Sequence, residues 1–113
     1  MTVALVLFAL AAVGGVILAV IRFKGKPYPP LGLALVHGAA AAAGLVALIV
    51  AVAPGDAPST ATTALVLFLI AAVGGFFLFF QHLKKVALPI WVVVVHALVA
   101  VAGFLTLAVS VLS

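Results

Sequence analysis

The chain contains no cysteine, which excludes disulfides, iron–sulfur clusters and thiolate metal sites. It has one carboxylate side chain, Asp56, so no pair of acids is available for general acid–base work and no nucleophile–base–acid set can be assembled. Charged residues make up 5% of the sequence against 70% hydrophobic residues, far from the mixture found in soluble domains. Four apolar stretches remain, about 2–21, 31–53, 64–80 and 90–112. A bilayer-spanning helix needs roughly 20 apolar residues, so these predict an integral membrane four-helix protein with nothing left over for a soluble domain. The third stretch is the shortest and is expected to borrow Ala61–Thr63 or Gln81. Met1 leads straight into the first apolar run without a basic n-region, so no cleaved signal peptide is expected.

The five Lys and Arg residues fall in two places: Arg22, Lys24 and Lys26 after the first span, and Lys84 and Lys85 after the third. The positive-inside rule sets both basic loops in the cytoplasm and the termini and the Asp56 loop outside, with a bacterial inner membrane as the expected location. Five cations beside spanning segments signal topology and lipid-headgroup contact, and nucleic acid is not expected as a partner. Tyr28 and Trp91 are expected as interface anchors, and His82 as a solvated interfacial residue.

The sequence is internally repeated. ALVLFALAAVGGVIL at 4–18 recurs as ALVLFLIAAVGGFFL at 64–78, and after one deleted residue Pro30 falls on Pro89, His37 on His96 and Gly44 on Gly103. The expected organisation is one all-α transmembrane domain, 1–113, with repeat one at 1–53, a linker at 54–63 and repeat two at 64–113. Pro27, Pro29 and Pro30 stop any helix in the loop RFKGKPYPP, and Pro30 and Pro89 suit the start of the returning spans. PGDAPSTATT has the composition of a linker, with Thr62 or Thr63 as the expected N-cap of the third span. Two spans per copy insert both copies in the same orientation. The expected fold is therefore a four-helix bundle of two parallel-repeat helical hairpins, related by a pseudo-two-fold axis along the membrane normal.

His37 and His96 each lie seven residues past their proline, roughly 10 Å from the basic end of the span. Gly14-Gly15 and Gly74-Gly75 precede that same end by about seven residues on the antiparallel spans, which puts imidazoles and double glycines in one layer. Small residues continue the histidine face: Ala40, Ala41 and Gly44 from His37, and Val99, Ala100 and Gly103 from His96. A polar side chain at membrane depth is a functional-site hypothesis by default. The plainer explanation is close helix packing through glycine, with each imidazole bonded to a carbonyl.

Zinc takes four ligands, or three plus water, and the layer offers two imidazoles; copper(I) on two imidazoles is an open alternative. Haem iron needs two axial ligands, which His37 and His96 supply. Glycine and alanine admit the apolar macrocycle, and Arg22, Lys24, Lys84 and Lys85 suit its propionates if that edge points to the cytoplasm. With VHGAAAAAGL and VHALVAVAGF around its histidines, the chain resembles small membrane-bound b-type cytochromes, in which histidines on different helices of a four-helix bundle hold haem b. It is also similar to short four-span bacterial proteins. The resemblance implies one haem b per chain, with His37 and His96 as axial ligands. Gly14, Gly15, Gly74, Gly75, Gly44 and Gly103 would then line the cofactor site. It implies an electron carrier or redox subunit rather than a self-sufficient enzyme, exchanging electrons with quinone or a redox partner protein; a homo-oligomer or larger complex is an open alternative to a lone chain. Larger transmembrane cytochromes carry two histidine pairs and two haems; this chain has one pair, which puts electron transfer right across the bilayer in doubt. Chlorophyll or another tetrapyrrole on one histidine each, a cofactor-free accessory or scaffold subunit, and a small transporter or channel stay open. The last is weakened by the absence of Asp, Glu, Lys or Arg inside the spans.

Overall fold

The computed structural model describes residues 1–113 as four long α-helices: α1 Thr2–Phe23, α2 Leu31–Val52, α3 Ser59–Leu83 and α4 Ile90–Leu112. All four are long and apolar enough to cross a membrane. The proteins's apolar surface fits that setting, because only 15 of 113 residues are buried and the outer faces are lined with exposed Val, Leu, Ile and Phe. In water such a surface would aggregate, whereas in lipid it costs nothing. Short loops pair α1 with α2 and α3 with α4, and α1 packs on α4 and α2 on α3. The helices thus form a square, with α1 opposite α3 and α2 opposite α4.

Three of the four spans begin or end where the apolar stretches do. The third does not. Helix α3 starts at Ser59, with Pro58 at its N-cap and no side-chain cap, so neither Thr62 nor Thr63 serves as the N-cap expected of it. Two of the hydroxyls that made Ser59–Thr63 read as linker, those of Thr60 and Thr63, find partners inside the helical arrangement. Thr63 Oγ1 donates to Ser59 O at 3.0 Å, and Thr60 and Ser110 share a hydroxyl–hydroxyl bond between α3 and α4. Pro30 and Pro89 take the N-cap positions of α2 and α4 with extended backbone, ψ 138° and 123°. A missing N–H costs nothing there.

The core is concentrated toward the chain termini. Ala4, Phe8, Leu48, Ala64, Phe68 and Leu107 form one buried cluster. The rings of Phe8 and Phe68 stack across the bundle with centroids 3.7 Å apart and parallel planes. Gly44 and Gly103 close the sandwich from outside, since a Cβ on either would meet a phenyl ring at 3.2–3.3 Å.

At the opposite end the two basic loops are tied together. Leu88 N donates to Pro27 O at 2.9 Å, and Arg22 reaches across with Nε to Leu88 O at 2.8 Å. His82, expected as a solvated interfacial residue, is instead buried, with its ring centroid 5.3 Å from that of Tyr28. Helix α3 continues through His82, and the Tyr28 loop folds over it. Both α1 and α3 end in left-handed residues, Gly25 at φ 104° and Lys85 at φ 55°. These conformations let Gly25 N and Lys85 N return to the carbonyls of Arg22 and His82. The left-handed region is free to glycine and costs an L-residue about 1 kcal/mol.

Candidate functional site

The histidine layer is built by a local device that occurs twice. In α1, Gly14 and Gly15 stand three and four residues after Ala11. Side chains at those positions cover the turn behind them and shield the carbonyl of residue i. With hydrogen in their place, the Ala11 carbonyl is bared toward α2, and His37 Nδ1 lies 2.7 Å from it. The second hairpin repeats the arrangement, with His96 Nδ1 at 2.8 Å from Ala71 O, beside Gly74 and Gly75. A carbonyl oxygen only accepts, so Nδ1 carries the hydrogen in both rings. In a neutral imidazole, Nε2 then holds the free lone pair.

The glycines form the seats of these rings. A Cβ on Gly15 would stand 3.0 Å from His37 Cε1, and one on Gly75 would stand 3.1 Å from His96 Cε1. Gly14 and Gly74 face the histidine Cβ atoms at a looser 3.5 Å. No side chain other than hydrogen leaves the imidazole where it is. The two rings approach each other across the α2–α4 diagonal, with centroids 6.4 Å apart and planes at 84°. Both are half-buried, and the large buried side chains Phe8, Phe68, Leu48 and Leu107 all lie on the terminus side of them.

Of the expected site residues, the structure brings His37, His96, Gly14, Gly15, Gly74 and Gly75 into this layer. Gly44 and Gly103 lie against Phe8 and Phe68 rather than at the imidazoles. Arg22, Lys24, Lys84 and Lys85 are at the basic end, seven to eleven residues along the chain beyond the glycines, or roughly 10–16 Å. Arg22 is engaged there by the carbonyls of Leu88 and, at 3.4 Å, Lys26. Reasoning from the sequence missed Ala11 and Ala71, whose main chains orient the rings. The signal was present in the run Ala-Ala-Val-Gly-Gly, where the double glycine bares the carbonyl of the first alanine.

A lipid-facing groove between α3 and α4 also reaches the layer, running past Phe77, Trp91, Val95 and Val99 to Gly74 and His96. The corresponding positions in the first hairpin for its two aromatic walls are Ile17 and Gly32, so the aromatic character belongs to one side only.

These features define a class: an apolar four-helix bundle of membrane-spanning length, with two carbonyl-oriented imidazoles facing one another inside it. Comparison with protein-family models, curated proteins and solved structures finds no match for the chain.

Proposed function

We propose that this protein is a membrane cytochrome of b type, holding one haem between His37 and His96 and passing electrons to quinone or a redox partner subunit. The observation that carries this reading is the geometry of the imidazole pair. A metal held by one nitrogen of each ring, at roughly 2 Å from either, would need ring centroids about 6 Å apart with those nitrogens turned toward each other. The observed separation is 6.4 Å. Each Nδ1 is bound to a main-chain carbonyl, the outer partner that metal-ligating histidines usually have, which fixes the tautomer and would leave Nε2 free to hold a metal. When bound, the haem supplies a one-electron couple tuned by two imidazole ligands and an apolar surrounding.

The chain's own residues would act as holders and insulators. Gly15 and Gly75 would keep the rings in register, while Ala11 O and Ala71 O, accepting from Nδ1, fix each ring's orientation and tautomer. Arg22, Lys24, Lys84 and Lys85 would be the cations at the helix ends on the propionate side. The Phe77–Trp91 groove offers a path from the lipid phase to the edge of His96, suited to a quinone ring. The matched environments of the two histidines support two parallel-repeat hairpins about a pseudo-two-fold axis along the membrane normal. The basic loops support a cytoplasmic orientation of that end in a bacterial inner membrane.

The test is the visible spectrum of protein purified after expression with ample haem. Reduced-minus-oxidised bands of b type are expected, and a colourless preparation overturns the proposal. A second reading, a cofactor-free scaffold subunit, is favoured by the completeness of each histidine's own contacts: glycine seat and carbonyl bond account for both rings without a ligand. Colourless protein that co-purifies in a stable complex would support it.

A further inference from the structure

The two hairpins end their first helices in the same way but with different residues. Lys24 N returns to Val20 O and Gly25 N to Arg22 O; Lys84 N returns to Phe80 O and Lys85 N to His82 O, all at 3.0–3.1 Å. The left-handed position is Gly25 in the first hairpin and Lys85, at φ 55°, in the second. Glycine adopts this conformation without strain, and a strained residue persists where something else over-determines it. The usual reason for a cation here is the negative end of the helix dipole, but Lys84 at the C-cap already places one there for α3. No packing contact is implied either, because Lys85 is exposed.

The rest of this end has one sign of charge. Lys24, Lys26, Lys84 and Lys85 are exposed, Arg22 is turned onto loop carbonyls, and the only acidic side chain, Asp56, is in the loop at the opposite end. The lysines therefore have no partner on the chain itself. Trp91, just past the same loop and 73% exposed, marks the headgroup level.

We propose that Lys85, with Lys84 beside it, is a contact for the phosphate of anionic phospholipid headgroups, and that this contact is what retains a lysine at a left-handed position. The contact needs no cofactor and is tested on protein without haem, where no propionate competes for Lys84 or Lys85. The loop-to-loop bonds hold the surrounding lysines on one rim, so the anionic headgroups of the leaflet are drawn to a fixed site rather than to a flexible tail.

Trp91 is the only tryptophan and reports local lipid directly. The full chain is reconstituted in bilayers containing brominated phosphatidylglycerol or brominated phosphatidylcholine, and quenching of Trp91 gives the relative association of the two lipids. A preference for the anionic lipid that declines with added salt is expected. One lysine near the surface is worth about a fivefold change, so Lys85→Gly should lower the preference by about that factor. The same variant, relieved of strain, should melt in neutral detergent no lower than wild type, and Lys85→Arg should keep the preference. An unchanged preference in Lys85→Gly overturns the proposal. So does a lowered melting temperature, which would assign Lys85 to packing, and so does full reversal of the preference by millimolar inorganic phosphate, which would make the ligand a free anion.

Discussion

Phe8 and Phe68 lie flat on each other between Gly44 and Gly103, with ring centroids 3.7 Å apart. A face-to-face pair this close is not the arrangement that aromatic quadrupoles prefer. It is held by the helices on either side, which approach closely because each presents a glycine. Within a bilayer, where burial of apolar area brings little, such contact packing is the main source of cohesion.

Gly44→Ala should therefore destabilise the bundle. The new methyl would arrive 3.2 Å from three atoms of Phe8, and Phe68 blocks the ring's retreat. A cost of about 1–3 kcal/mol is expected, read by unfolding in mixed micelles. Gly38→Ala, where nothing stands within 4 Å, is the control and should be neutral or stabilising. Equal stability of the two variants would contradict this account.

Gly15→Ala and Gly75→Ala should disturb the imidazoles, whereas Gly14→Ala should be mild. The distances to the ring side chain, 3.0 Å and 3.1 Å against 3.5 Å, set that order. The imidazole nitrogen resonances report it in apo protein, through loss of the Nδ1–carbonyl bond. If haem is bound, its retention should fall roughly 10-fold, as for loss of an outer-sphere partner.

His37→Ala and His96→Ala should each remove the low-spin spectrum expected of a bis-imidazole haem, with helix content preserved. Identical spectra in wild type and either variant would contradict the ligand assignment.

Arg22→Ala should loosen the joined loops without unfolding the spans. Its guanidinium holds the Leu88 carbonyl at 2.8 Å, and hydrogen bonds from charged donors are worth about 1.5–3 kcal/mol when shielded, less at this half-buried site. The Leu88 amide, which donates to Pro27 O, should exchange faster with deuterium. Unaltered exchange at Leu88 would show that the Pro27 bond stands without Arg22.

The spans were legible because a membrane helix must satisfy its main chain internally and present apolar residues all round, so composition alone marks it. The start of α3 was not. Ser59, Thr60 and Thr63 read as turn formers, and only the proximity of Ser110 on another helix shows that Thr60 has a partner. His82 was misjudged for a related reason: its burial depends on the Tyr28 loop, which is distant in sequence. The histidine layer was legible in depth, since counting residues from a proline fixes height along a helix. Its internal chemistry was not, because periodicity describes side chains and here the orienting groups are the carbonyls of Ala11 and Ala71. The four glycines were assigned to a shared space; those of the layer are each spoken for by one ring.

The bond from Leu88 to Pro27 joins main chain to main chain, and so it survives any change of side chain at either residue except loss of the Leu88 N–H. Its effect is that of a clasp on one rim of a barrel of staves. The Phe8–Phe68 stack ties the two hairpins at the far end, so the imidazoles stand between two fastenings and neither hairpin can splay from the other without undoing one of them.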